Sequence, residues 1–451
     1  MYLVRVPVAC TRTVSLDHSW TYILQTSDDQ KRSRNMLRYL ILVAVSFASA
    51  TVCDGHSRCP LCDDGSIECS SCLATVPCIQ IAEGVQMPIV GLGVGASAFG
   101  SECDEPPPNP PFVNESCFIQ QAKLATKAWV GRGGALVETA QDDLNQVPVG
   151  TAIKESGVDR RDVFLMTKCI GALTFEGILE CVYDALQMLQ TDYIDLVILH
   201  SPMRPGPCFA GQVGRVNAQN SCGTYTARTD PGDAGRIDSW RGLEVSVKRG
   251  LVRAIGLSDF SAEQLDPIVQ AAEIQPAVVQ VNYYMGASEK WVETKAYCDA
   301  HGIAVQTWGP LGSPILGLGW TDQPKEGFLS QIDFDSEVIS GIAAKHGVTV
   351  QQVALRWVVE KGGALVVGTG NPVHMASDSR IFHFALDKAD MEDLADMLHR
   401  APQLRTSDGE GSMRTAWPFG ALGTAALSIA AVAVWVSAPL ARTLAGNAVL
   451  L

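Results

Sequence analysis

Two side chains that can hold or move a proton stand at the ends of apolar runs. Lys168 follows VFLMT (163–167), and His200 closes YIDLVILH (193–200). A lysine and a histidine at strand ends can tune and relay a proton at neutral pH. The plain alternatives are a solvated strand-end lysine and a satisfied core histidine. A second constellation is sulfur-rich. Cys53, Cys59, Cys62, Cys69, Cys72 and Cys78 fall close together and include two C-x-x-C pairs. Such pairs can ligate zinc, but six residues separate them, short for a zinc ribbon. A secreted context favours three disulfides instead. Cys103, Cys117, Cys208 and Cys222 lie in loop-like stretches and can pair as well. Cys169, Cys181 and Cys298 lie in apolar segments and read as buried thiols. Gly91, Gly93 and Gly95 form a lone glycine cluster, read as a tight turn at a strand end.

The elements that must position these groups repeat regularly. Further buried-strand runs are VRAIGLS (252–258), VVQVNYY (278–284), IAVQTWG (303–309) and ALVVGT (364–369). Helical patterns separate them at 174–190, 239–250, 261–272, 288–301, 335–345 and 349–361, the last with Thr349 at its start. Strand–helix alternation implies parallel strands covered by helices. About 300 residues of it suit an eight-stranded barrel, the (β/α)8 or TIM class of α/β folds. No G-x-G-x-x-G follows the first strand, which disfavours a doubly wound dinucleotide fold. Two loops stand out, 101–116 with PPPNPP and 203–236 with many Gly, Arg and Asn residues.

The chain has 451 residues and a formal charge of 34 − 48 = −14, with no long basic run, which argues against nucleic-acid binding. A hydrophobic fraction of 47% against 18% charged excludes a wholly disordered chain. Part of that excess sits near the ends. LRYLILVAVSFASATV (37–52) follows Lys31, Arg32 and Arg34 and carries Ala48-Ser49-Ala50, a secretory-signal pattern with Met36 as an alternative start. An uncleaved anchor is the rival reading. Residues 415–441 lack any charged side chain between Arg414 and Arg442, long enough for a membrane-spanning helix. A buried helix and a removable lipid-anchor signal are the alternatives. The expected organisation is a leader or anchor at 1–50, a Cys-rich segment at 51–80, a barrel at 81–400, a linker at 401–414 and the transmembrane helix at 415–441. The location expected from this is a membrane of the secretory pathway.

The barrel portion resembles the aldo-keto reductase family. The resemblance runs through GVQMPIVGLGVG (84–95), ALVETAQDDLNQVPVGTAIKESG (135–157), RRDVFLMTK (160–168), LQTDYIDLVILHSP (189–202) and GLVRAIGLSDFS (250–261). It continues through PAVVQVNYY (276–284), VQTWGPLGSP (305–314), VTVQQVALRWVVEKGGALVVGTGNPVHM (348–375) and FALDKADMEDLADML (384–398). It implies a (β/α)8 barrel that binds a nicotinamide dinucleotide without a Rossmann domain and reduces small-molecule carbonyls. NADP(H) is the implied cofactor, with NAD(H) as the second choice. Lys168 and His200 match the family lysine and histidine. The family motif D-T-A-x-x-Y becomes Glu138-Thr139-Ala140-Gln141-Asp142-Asp143, so Glu138 replaces an aspartate and Asp143 the proton-donating tyrosine. Beside Lys168, Asp143 is expected to be ionised and unable to donate.

The resemblance also implies a cofactor set. Ser258, Asp259 (for an Asn) and Gln280 fall at carboxamide positions, and Trp308 where a ring stacks on nicotinamide. Pro310, Leu311, Gly312 and Ser313 resemble the pyrophosphate loop. Gly368, Thr369 and His374 fall at the 2′-phosphate, where the family places Lys and Arg, and Asp378 falls at the adenine. Three functions fit: a membrane-tethered reductase with altered proton donation, a catalytically inactive ligand-binding barrel, or a surface interaction protein.

Overall fold

The structure, a computed structural model, describes residues 51–52, 73–95, 117–204, 228–312, 332 and 334–400. Five cysteines of the sulfur-rich segment (Cys53 to Cys72), Cys103, Cys208, Cys222, most of both long loops, Ser313 and the readings at 1–50 and 401–441 lie outside these residues.

An antiparallel hairpin opens the fold. Pro77–Ala82 pairs with Val85–Pro88, turning at Glu83-Gly84, and Thr51–Val52 pairs with its outer edge. Gly84 takes a positive φ of 68°, which the tight turn needs and a side chain would resist. Arg253 donates to Gly84 O at 2.9 Å, so the hairpin lies against the N-terminal ends of the strands that follow.

Eight parallel strands then close into a barrel, as the alternation predicts. They are β1 (Val90–Gly93), β2 (Leu136–Glu138), β3 (Phe164–Cys169), β4 (Ile194–Leu199), β5 (Val252–Ser258), β6 (Val278–Val281), β7 (Ala304–Trp308) and β8 (Gly363–Val367), with β8 paired to β1. Every residue of β3 and β4 is buried, the reason these strands read as unbroken apolar runs rather than alternating ones. The glycine cluster departs from its expected turn. Gly91 and Gly93 lie within β1, and only Gly95 stands past its end. A Cβ at Gly91 would sit 2.1 Å from Leu136 Cδ2, so the cluster lets β2 approach closely.

Ten helices are described: α1 (Cys117–Gly131), α2 (Gln146–Ser156), α3 (Phe175–Leu189), α4 (Gly232–Lys248), α5 (Ala262–Ala271), α6 (Glu289–His301), α7 (Glu337–His346), α8 (Val350–Glu360), α9 (Pro372–Ser379) and α10 (Lys388–Arg400). Helix α3 buries Ile178, Cys181, Val182, Ala185 and Leu189, a stripe at three- and four-residue spacing. Thr349 starts α8 as expected, in a capping box with Gln352 that satisfies two helix-end amides. Helix α4 corrects the sequence reading. It begins at Gly232, inside the expected 203–236 loop. Buried Arg236 pairs with Asp230 at 2.6 Å and Asp233 at 3.0 Å, holding a first turn too polar to show apolar periodicity.

The cysteines bring a second correction. Cys169, the last residue of β3, and Cys181 on α3 are joined by a disulfide rather than left as thiols. Apolar surroundings suit a buried disulfide as well as a buried thiol, so burial alone could not separate the two. Cys298 is a buried free thiol. Cys78 and Cys117 also take part in disulfides.

Candidate active site

Parallel strands bring their C-terminal ends to one rim, and the expected residues sit there. Glu138 ends β2, Lys168 is the penultimate residue of β3, and His200 follows β4. Ser258 ends β5, Gln280 lies in β6, Trp308 ends β7, and Gly368 and Thr369 follow β8.

The turn after β2 is tightly built. Thr139 N donates to Met166 O and Gln141 N to Lys168 O, both at 3.0 Å, so the ladder to β3 runs past the strand end. Thr139 Oγ1 donates to Asn145, whose amide donates to Val94 O. Leu144 takes a positive φ of 54° between them. This frame carries Asp142 and Asp143 into the rim.

Lys168 forms a buried ion pair with Glu138, as expected from their positions. Burial works against the ammonium, but Glu138, Asp143 and Asp142 together hold the Lys168 pKa above its usual value. Gly93 makes room for Glu138, since a Cβ there would sit 2.9 Å from Glu138 Oε2.

Asp143 overturns its expected ionisation. Its carboxyl is raised to about 7, first by burial, with the Asp142 and Glu138 charges adding to it against Lys168 and His200. The sequence reading weighed the Lys168 ammonium alone, whereas burial and the neighbouring Asp142 charge outweigh it. The group is therefore a carboxylic acid over much of the range below neutrality. Gly95 packs beneath it, a Cβ there falling 3.3 Å from Asp143 Oδ1.

Asp142 escaped the sequence reading as a site residue. Its Oδ1 lies 2.7 Å from His200 Nδ1. Burial opposes its charge, yet His200, Arg228 and Lys168 hold its pKa below the usual carboxylate value. Only its place beside Asp143 could have drawn attention to it. Arg228, inside the expected 203–236 loop, carried no signal.

The cofactor residues divide into two groups. In the first, Ser258 Oγ and Gln280 Oε1 are buried without a hydrogen-bond partner. Gln280 Nε2 donates to Gln306 Oε1 at 2.8 Å, and Gln306 Nε2 lies 3.7 Å from Met87 Sδ of the hairpin. A hydroxyl and an amide oxygen left open side by side fit a ligand amide, which both donates and accepts. Asp259 takes a positive φ of 60°, which Asp tolerates as Asn does, and Trp308 Nε1 donates to its Oδ1 at 3.0 Å. Burial raises the Asp259 carboxyl, with the Trp308 bond opposing. Asn282 Nδ2 donates to Trp308 O at 2.8 Å, a support the sequence did not reveal. Pro310, Leu311 and Gly312 follow in a turn with Gly309 and Gly312 at positive φ.

The second group stands on β8 and α9. Thr369 Oγ1 accepts from Asn371 N at 3.0 Å and lies 3.5 Å from His374 Nδ1. Asn371 caps α9 through Val373 N at 2.9 Å. No lysine or arginine occurs between Gly368 and Ser379. Burial raises the Asp378 carboxyl to about 7. Among the described residues, no three His, Cys, Asp or Glu side chains are placed to hold a metal ion.

Comparison with known proteins places this arrangement among others. The model of the aldo/keto reductase family matches residues 92–399. The chain is similar to aldo-keto reductase family 1 member A1 of Xenopus tropicalis, with 31% identity over 316 residues, 68% of this chain and 85% of that protein. Glyoxal reductase of Bacillus subtilis is 29% identical over 315 residues, 70% of this chain and 90% of that protein. Among solved structures, the Bombyx mori aldo-keto reductase in complex with NADP matches the fold with a TM-score of 0.56 at 23% identity, covering 73% of this chain and 96% of that one.

Proposed function

The chain belongs to the aldo/keto reductase family, and we propose that it reduces small-molecule carbonyls with NADP(H), using the Asp143 carboxyl as proton donor. The observation that carries this reading is a carboxyl at the family's tyrosine position, packed over Gly95 and titrating at about 7. When bound, the nicotinamide cofactor supplies the hydride. Ser258 and Gln280 would hold its carboxamide, which would answer their unpartnered atoms, and Asp259 fixes the Trp308 ring through its Nε1. The turn at Pro310 to Gly312 and the residues Gly368, Thr369, His374 and Asp378 would hold its phosphates and adenine.

As charge builds on the carbonyl oxygen, neutral Asp143 gives up its proton and His200 orients the oxygen. Lys168, paired with Glu138, keeps a fixed positive charge beside them. Solvent then reprotonates Asp143.

The missing phenol supports a second reading, a barrel that binds the dinucleotide without turnover. Tryptophan fluorescence titration of the full chain with NADPH, followed by an aldehyde panel, separates the readings. Quenching with turnover is expected; quenching alone selects the inactive barrel, and no quenching defeats both.

Preference for NADPH over NADH is expected to be small. Gly368 and His374 offer no permanent charge to the 2′-phosphate, and a charged hydrogen bond is typically worth ~1.5–3 kcal/mol. A Kd ratio above about a hundredfold at pH 8, roughly 2.7 kcal/mol, would refute this.

The signal-like and uncharged end segments support tethering to a secretory-pathway membrane. Among the described residues, no helix is long and apolar enough to cross a membrane, and the 415–441 segment lies outside them. The protein is expected to stay in the pellet on alkaline carbonate extraction. Its release with the C-terminus intact would exclude the span.

A further inference from the structure

We propose that Asp142 is a positioning residue that fixes His200 as the Nδ1–H tautomer, so that this ring donates to a carbonyl oxygen only as the imidazolium, through Nε2. The 2.7 Å contact between Asp142 Oδ1 and His200 Nδ1 carries the inference. The Asp142 side chain is fully buried, and its other oxygen, Oδ2, has no hydrogen-bond partner. His200 is therefore the only hydrogen-bonding partner described for this buried carboxylate.

Both ends of the contact are pinned by backbone. His200 N donates to Cys169 O at 2.8 Å, while Gln141 N donates to Lys168 O at 3.0 Å and Asp143 N to Ala140 O at 3.2 Å. The frame thus holds the two backbones within reach of this pairing. Asp142 titrates below the usual carboxylate range and is ionised at neutral pH. An ionised carboxylate only accepts, so the proton must sit on Nδ1. A neutral ring in that form carries no hydrogen on Nε2 and cannot donate from it. Other titratable groups that feel His200 include Asp143, on the same turn as Asp142, and Asp259, just past the end of β5. Lys168 on β3 and Arg228 act on Asp142 itself.

The kinetic half of this inference rests on the reductase reading; the tautomer does not. The test uses the full chain labelled with 15N-histidine, which carries eight histidines, the His200 signals being those lost in His200→Gln. Two-bond 15N–1H correlation spectra are expected to show His200 as Nδ1–H in wild type. They should show a shift toward Nε2–H in Asp142→Asn, whose amide can donate to Nδ1. An Nε2–H ring in wild type, which requires no variant to fold, would overturn the proposal.

In turnover, Asp142→Asn frees donation from the need for the imidazolium, so the ratio of its kcat/KM to that of wild type for a neutral aldehyde is expected to rise about tenfold or more between pH 6 and 9. The Kd for NADPH by fluorescence should change less than about threefold. A switched tautomer with kcat/KM unchanged removes the positioning role. A wild type without turnover sinks the reductase reading alone, and the spectra still decide the tautomer.

Discussion

Single-turnover reduction of a reactive aromatic aldehyde at saturating NADPH is expected to be fastest below pH 7 and to fall about tenfold per pH unit above it. The sign follows from Asp143, whose carboxyl titrates at about 7 and donates only while protonated. Asp143→Asn leaves an amide of similar shape without an acidic proton, and the rate should drop ~10²–10⁴-fold. Asp143→Tyr restores a phenol, with a pKa near ~10, and should move the falling limb up by several pH units. At pH 9 the tyrosine variant should therefore outrun wild type. A flat wild-type profile between pH 6 and 9, or an Asn variant as fast as wild type, would remove Asp143 from the chemistry. The same carboxyl weakens the fold. Its folded pKa lies above the unfolded value of ~3.9, so stability declines as pH rises from ~4 to ~7. Asp143→Asn should then melt higher than wild type at pH 8, the difference closing near pH 4.

The second large effect is expected at the buried pair. Lys168→Met leaves Glu138 buried at the rim without its counter-charge, and losing one partner of such a pair typically costs ~3–5 kcal/mol. Urea unfolding is the measure, and turnover should vanish with the lysine. The double variant Glu138→Gln with Lys168→Met removes both charges and should recover much of the lost stability. A single variant within ~1 kcal/mol of wild type would show that the pair is solvated rather than buried. The Lys168 pKa is raised, so its contribution persists below the usual lysine range and is lost only as pH climbs beyond it.

Much of the scaffold was legible because parallel barrel strands bury both faces and advertise themselves as apolar runs. VRAIGLS (252–258) coincides with β5, and Thr349 announced its own cap. The rim positions of Lys168 and His200 followed from where those runs end. What stayed hidden depends on approach through space. Asp142 and His200 are 58 residues apart, and nothing in either neighbourhood marks the other. The acid character of Asp143 was misjudged because a sequence shows that Lys168 is near but not how deeply the carboxyl is buried beside Asp142. Helix α4 hid because charge pairs around Arg236 hold its first turn, and periodicity registers only apolar stripes.

The bond between Cys169 and Cys181 gives Lys168 a dependence on its surroundings that neither cysteine shows alone. It braces the strand end one residue beyond Lys168 against the helix behind it, with the two cysteines 12 residues apart. A cross-link over so short a loop typically removes on the order of 3 kcal/mol of freedom from the unfolded chain. Glutathione keeps such sulfurs reduced in a cytosol, whereas a secretory lumen oxidises them. The seat of Lys168 is thus covalently braced in one compartment and held by packing alone in the other, so the same polypeptide would reach its active geometry from a smaller unfolded ensemble in the lumen than in the cytosol.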